Sequence, residues 1–233
     1  MSPYNFVQNS PINRVDPTGM IDEFVEMVNN DGTSTKTKVS DLGGDKVDFT
    51  HVKGGEHDGQ TRIESRVTGK AVYTASSKGL EGYTQRPLGT NWSSIFKEFS
   101  DGTGPENSLI TNPGMTQDIM LSPQFGEAAK AYMAGGAPDI MGYNSSFGIS
   151  GAIKSGSNMT AQMIGKSRYS FYNVGDQLVI TVMDSKSIMS YSLNPLVKIL
   201  PDSWVNKDRN GTDIIPESTT NQTYLMILPL KKK

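Results

Sequence analysis

The sequence predicts an α+β fold: a short β-meander near the start, then two or three helices, then an antiparallel sheet. Three observations predict it. Runs of alternating residues broken by Asn, Asp and Gly fill the stretch up to Val52. Two helix-start signatures, Asn91-Trp92 and Ser122-Pro123, lie in the middle of the chain. The last third carries β-branched and aromatic runs separated by turn residues. Helices followed by strands is the order of an α+β domain.

The elements follow in chain order. Ile21–Val28 (I-D-E-F-V-E-M-V) reads as a strand, because Asn29-Asn30-Asp31-Gly32 follows and Thr33–Val39 alternates again. Asp-Gly between two such runs is a strong hairpin signal. Asp41–Lys46 is a second turn and Val47–Val52 a third short strand, which completes the meander. Lys53–Lys70 is rich in Gly and charge and poor in large apolar residues, and it reads as an exposed linker.

Asn91 is placed to cap a helix over Trp92–Phe99, in which Trp92, Ile95, Phe96 and Phe99 form a core-facing stripe. Thr116–Leu121 reads as a short helix. Ser122 and Pro123 supply the cap and first position of another, which Gly135-Gly136 end. Ala137–Ser157 reads as loop. Met159–Ile164, Arg168–Tyr172, Leu178–Met183, Ile188–Leu193 and Tyr224–Leu230 read as strands, with a hairpin turn at Asn173–Asp176. Tyr132, Tyr169, Phe171, Tyr172, Tyr191 and Tyr224 are expected in the sheet core rather than in a base-stacking platform.

Composition bounds the chemistry. The 233 residues suffice for one good core, and 1–69 is too polar to supply a second. There is no cysteine, so disulfides, thiolate metal sites and a cysteine nucleophile are excluded. No apolar run approaches a membrane span, and no signal-peptide pattern opens the chain. Residues 1–69 carry 7 Lys+Arg against 11 Asp+Glu, and residues 70–233 carry 15 against 13. The broad basic surface expected of a nucleic-acid binder is therefore missing.

The run Y-N-F-V-Q-N-S-P-I-N-R-V-D-P-T-G-M over Tyr4–Met20 combines an aromatic strand, two prolines that impose extended backbone, and an Asp16-Pro17-Thr18-Gly19 turn. It resembles the end of the Rhs repeat-associated core domain: aromatic strand, N-x-P-x-x-x-x-D-P-x-G, then an apolar residue. Asn9, Pro11, Asp16, Pro17, Gly19 and Met20 match by position, while Ser10 and Met20 replace the commoner Asn and Leu. The resemblance implies a chain whose upstream part is a β-cocoon of repeats and whose variable C-terminal part is a toxin. It implies cleavage just after the motif, at Met20–Ile21, with Asp16 as one of the acids. The partner acid and the shell would lie upstream, so this chain alone is not expected to cut itself. It further implies delivery into competing cells by a dedicated secretion machinery without a classical signal peptide, and a cognate immunity protein. The expected organisation is a core motif over 1–20, meander and linker over 21–69, and the toxin domain over 70–233.

Within that domain the candidates for chemistry are few. His51 and His57 are the only histidines and both precede it, so a Ser-His-Asp triad or a histidine metal site inside it is ruled out. A base must be Asp, Glu, Lys or Tyr. Asp184 follows the strand Leu178–Met183, where a rigid scaffold would hold it. Lys186 or Arg168 is the candidate clamp for an anion, and Arg209 is a further candidate. Glu106, in G-T-G-P-E-N-S, is a second candidate acid. Asn206, Asp208, Asn210 and Glu217 fit the calcium-loop spacing, with Gly211 at the turn, but the first ligand is Asn and no amphipathic helices flank the loop. Ca2+ is the only cofactor that the sequence suggests. No E-x-E pair for ADP-ribosyl transfer occurs after Lys70, and no apolar hairpin for a pore. The expectation is a toxin hydrolysing or transferring at a phosphate-containing substrate without histidine, with a non-enzymatic binding toxin or an inert Rhs fragment as alternatives.

Overall fold

The computed structural model describes residues 22–41, 46–74, 83–145, 158–164, 167–186 and 220–230. The fold is α+β, as expected, with two mixed sheets and four helices among the described residues. The first sheet holds β1 (Asp22–Val28), β2 (Ser34–Asp41), β3 (Val47–Lys53), β4 (Thr61–Ser65) and β5 (Ala71–Tyr73) in the order β2-β1-β3-β4-β5. The second holds β6 (Thr84–Gln85), β7 (Asn107–Ile110), β8 (Ile140–Asn144), β9 (Arg168–Asn173), β10 (Gln177–Lys186) and β11 (Thr220–Pro229), ordered β6-β7-β11-β10-β9-β8.

The first hairpin forms where Asp-Gly predicts it. Asp31 Oδ1 accepts from the Thr33 N–H at 2.9 Å, and Gly32 takes the left-handed conformation at φ 83°. Beyond it the simple meander stops. The chain crosses to the far side of β1, and β3 pairs with β1 in parallel, Phe24 opposite Thr50. The second sheet is likewise mixed rather than purely antiparallel: β9, β10 and β11 pair antiparallel, whereas β7 pairs in parallel with both β6 and β11.

The exposed linker expected over Lys53–Lys70 is instead folded. Its T-R-I-E-S stretch is β4, with Thr61, Ile63 and Ser65 buried and Arg62 and Glu64 half-buried on the other face. This first sheet lies on one face of the second. Val47, Phe49, Ile63 and Val72 share a core with Leu109, Tyr172, Val179, Leu225 and Ile227. Four helices cover the opposite face: α1 (Trp92–Asp101), α2 (Pro113–Met120), α3 (Pro123–Ala134) and α4 (Met159–Ile164). Because both faces of β10 and β11 are covered, their sequences L-V-I-T-V and Y-L-M-I-L are nearly continuous apolar runs rather than alternating ones. Residues on both sides of the expected boundary at 69–70 thus contribute to one core.

The helices begin at their caps. Asn91 and Ser94 form a reciprocal capping box for α1, and Gly102 ends it at φ 63°. Ser122 Oγ accepts from the Phe125 N–H at 3.1 Å, with Pro123 at the first position of α3. The buried side of α3 brings Tyr132 onto Phe171, stacked with ring centroids 4.8 Å apart. On α1, Ile95 and Phe99 are buried as expected, but Trp92 and Phe96 are 37% and 42% exposed. Met159–Ile164 is a helix, not the strand expected, and its start is held by Asn158, whose Oδ1 accepts from the Ala161 N–H at 2.8 Å. Ile140–Asn144, expected to be loop, is the strand β8. The expected strand Ile188–Leu193, and Tyr191 with it, lie outside the described residues. None of the helices is long and apolar enough to cross a membrane among the described residues.

Candidate functional site

At the end of the six-stranded sheet where β7, β9 and β11 begin and β8 and β10 finish, a cleft of about 340 Å³ opens. Arg168 and Asp184, both expected site residues, line it together. Sheet register explains why they meet. Arg168 opens β9 directly opposite Met183 on β10, so Asp184 is one residue further along the same strand. Successive side chains on a strand point to opposite faces. Asp184 therefore follows Val182 onto the helix-covered face and is 7% exposed, while Arg168 stays exposed and passes Gly142 on β8, where an added Cβ would lie 3.6 Å from its guanidinium. The cleft wraps the rim of the sheet and collects both.

Amides and hydroxyls complete the walls. Gln222 on β11 is the cross-strand neighbour of Asp184. It is 1% exposed, and its Oε1 accepts from the Tyr224 hydroxyl at 2.8 Å. Its Nε2 is buried with no hydrogen-bond partner, a condition that costs about 1–3 kcal/mol. Asn221 lies beside it, fixed from two sides: its backbone N–H donates to the Glu106 carbonyl at 2.7 Å and its Nδ2 to Asn107 Oδ1 at 2.9 Å. Asn144, Ser167, Ser185 and Tyr83 close the ring. Ser145 pins the far wall: its N–H donates to the Ser167 carbonyl at 2.9 Å, and its Oγ accepts from the Ser167 N–H at 3.1 Å.

Tyr169 lies next to this rim on the face that Asp184 occupies. Burial pushes its phenol up to about 12; the Ser167 and Ser122 hydroxyls partly offset this and the Asp184 charge adds to it. It stays protonated at any physiological pH. The Tyr132 phenol is also raised, chiefly by burial. Tyr132, Tyr169, Phe171, Tyr172 and Tyr224 are all buried, the core positions expected of them.

The remaining candidates fall elsewhere. The Glu106 side chain is exposed and only its carbonyl serves the rim, through Asn221. His51 is on β3, in the strand expected over Val47–Val52, and is 5% exposed, with Nδ1 3.0 Å from Thr61 Oγ1. His57 stacks on Tyr73 at 3.6 Å. Neither lines the cleft. Arg209, the self-cleavage residues Asp16, Met20 and Ile21, and the calcium-loop residues Asn206, Asp208, Asn210 and Glu217 lie outside the described residues. Among the described residues no three His, Asp or Glu side chains are placed to share a metal ion.

The sequence reading missed Tyr83, Asn144, Asn221 and Gln222. Their signal is positional: each lies at or near a strand end, and the strand order β6-β7-β11-β10-β9-β8 brings them to one rim. Comparisons with protein families, with curated proteins and with solved structures give no match to this chain.

Proposed function

We propose that the chain is the toxin-bearing end of an Rhs-type protein, acting enzymatically on a phosphate-containing substrate in competing cells. The observation that carries the enzymatic part is the convergence of Asp184 and Arg168 on one cleft. A carboxylate in a mostly buried position is the base that a histidine-free site requires, and a guanidinium is a bidentate partner for a phosphate group and for charge that develops on it. The Rhs part rests on the Tyr4–Met20 run and on nothing in the cleft. In this reading a cognate immunity protein protects the producing cell, and a dedicated machinery delivers the module.

A second reading, a toxin that works by binding a protein, is favoured by Trp92 and Phe96, two large aromatics left substantially exposed one turn apart on α1. Inducible expression of the full chain in a bacterium, once in the cytoplasm and once exported, tests the proposal through surviving colonies. Killing confined to the cytoplasm supports a nucleotide or nucleic-acid substrate, and killing only after export supports an envelope substrate. Unimpaired growth in both compartments contradicts a toxin with a target in that cell.

A further inference from the structure

The cleft walls change chemistry across the rim, and strand order fixes the sequence of that change. Tyr83 stands at the entry to β6, half-buried against the core shared by the two sheets. Asn221 and Gln222 follow on β11, Asp184 on β10 and Arg168 on β9. With strands about 4.8 Å apart, Asn221 and Arg168 start roughly 10 Å apart, and Tyr83 and Arg168 roughly 19 Å apart before their side chains reach inward. The order is therefore aromatic ring, carboxamides, carboxylate, guanidinium, with Tyr83, Asn221 and Arg168 on the face toward the first sheet and Gln222 and Asp184 on the helix-covered face.

We infer that the cleft binds a single nucleotide carrying one phosphate, with its base between Tyr83 and the carboxamide of Asn221, its ribose hydroxyls reaching over the rim to Asp184 and its phosphate on Arg168. Each assignment follows from chemistry. A ring supplies a stacking face, and carboxamides carry both donors and acceptors for a base edge. A carboxylate has about four acceptor sites and takes ribose hydroxyl protons even when another group also donates to it. Arg168 lines the cleft, and its guanidinium is a bidentate partner for a phosphate. A chain with net charge −2 also favours a small nucleotide over a long polyanion. The volume, about 340 Å³, is at the small end for ligand sites.

The inference rests on the rim cleft being the functional site, and calorimetric titration of the full chain tests it. The probes are the 5′-monophosphates of the four common nucleosides, the nucleosides themselves, their 2′-deoxy forms and ribose 5-phosphate. At least one nucleoside monophosphate is expected to bind, with its nucleoside and ribose 5-phosphate each at least about tenfold weaker. Arg168→Gln is expected to erase the preference for nucleotide over nucleoside, and Asp184→Asn the preference for ribose over deoxyribose. Ribose 5-phosphate binding as tightly as the best nucleotide would overturn the inference, and so would absence of heat with every monophosphate at millimolar concentration. These readouts on the wild-type chain need no variant to fold. If killing depends on Asp184 while no nucleotide binds, the inference fails and the site stands; if killing ignores both Asp184 and Arg168, the site itself fails.

Discussion

Ser65, in the stretch expected to be a linker, donates its hydroxyl to Asp176 Oδ1 at 2.5 Å, joining β4 to the turn between β9 and β10 across 111 residues of sequence. Around this bond Thr68 Oγ1 donates to the Val174 carbonyl at 3.2 Å, and Lys70 pairs with Asp139 at 2.5 Å. The first sheet is thereby fastened to the second at the end opposite the cleft.

Removal of β1 to β4 should therefore unfold the rest. A chain of residues 70–233 leaves Leu109, Tyr172, Val179, Leu225 and Ile227 without the Val47, Phe49 and Ile63 that cover them. The expected product is aggregated or molten, with lost near-ultraviolet circular dichroism. A soluble fragment with a cooperative thermal transition would refute the shared core.

Phe49→Ala tests the same core in the full chain. Phe49 is fully buried, and its truncation should cost about 3–5 kcal/mol. Denaturant unfolding should move to lower midpoint as one transition, whether followed by tryptophan fluorescence, to which both Trp92 and Trp204 contribute, or by far-ultraviolet dichroism. Two separated transitions would mean that the sheets fold independently.

Gly175→Ala probes the fastening itself. Gly175 has φ +90°, and a Cβ there would lie 2.5 Å from Thr68 Oγ1. Backbone strain and the clash together should cost about 1–3 kcal/mol. In a Thr68→Ala background the steric part should be relieved while the backbone part persists, so the two substitutions should be non-additive in chemical denaturation.

These contacts also show what was legible in the residues. Asn91, Ser122-Pro123 and Asp31-Gly32 announce their caps and turn because each works through local chemistry. T-R-I-E-S alternates as a strand should, but Ile63 is its only large apolar residue, and burial of Thr61 and Ser65 depends on a distant partner. M-T-A-Q-M-I is too short for a period to declare itself, though Asn158 stands before it as a cap. At the cleft, Asp184 and Arg168 were legible because charged groups at strand ends invite attention. Asn221, Gln222 and Tyr83 were not, because neutral groups on separate strands acquire meaning only from the strand order.

Acid sensitivity should arise at Asp22. Burial raises its carboxyl, but hydrogen bonds and charge from Arg66 and Lys38 outweigh this and hold it below its ordinary 3.8. A depressed carboxylate stabilises the fold above the unfolded value and loses that contribution as pH falls through the folded one. Asp22→Asn should therefore be about 1–2 kcal/mol less stable than wild type at neutral pH. The gap should close as pH falls below 3.8. Urea titrations across that range would measure it; a gap independent of pH would assign the loss to packing instead.

The most direct test of the proposed site counts surviving bacteria after induction of the full wild-type chain and of equally abundant, folded Asp184→Asn and Arg168→Ala variants. In the compartment where the wild type kills, each substitution should restore survival by at least about a hundredfold, in keeping with loss of a general base or an electrostatic clamp. Undiminished killing by both variants would contradict an enzymatic role for the cleft and favour action through the exposed Trp92 and Phe96 face.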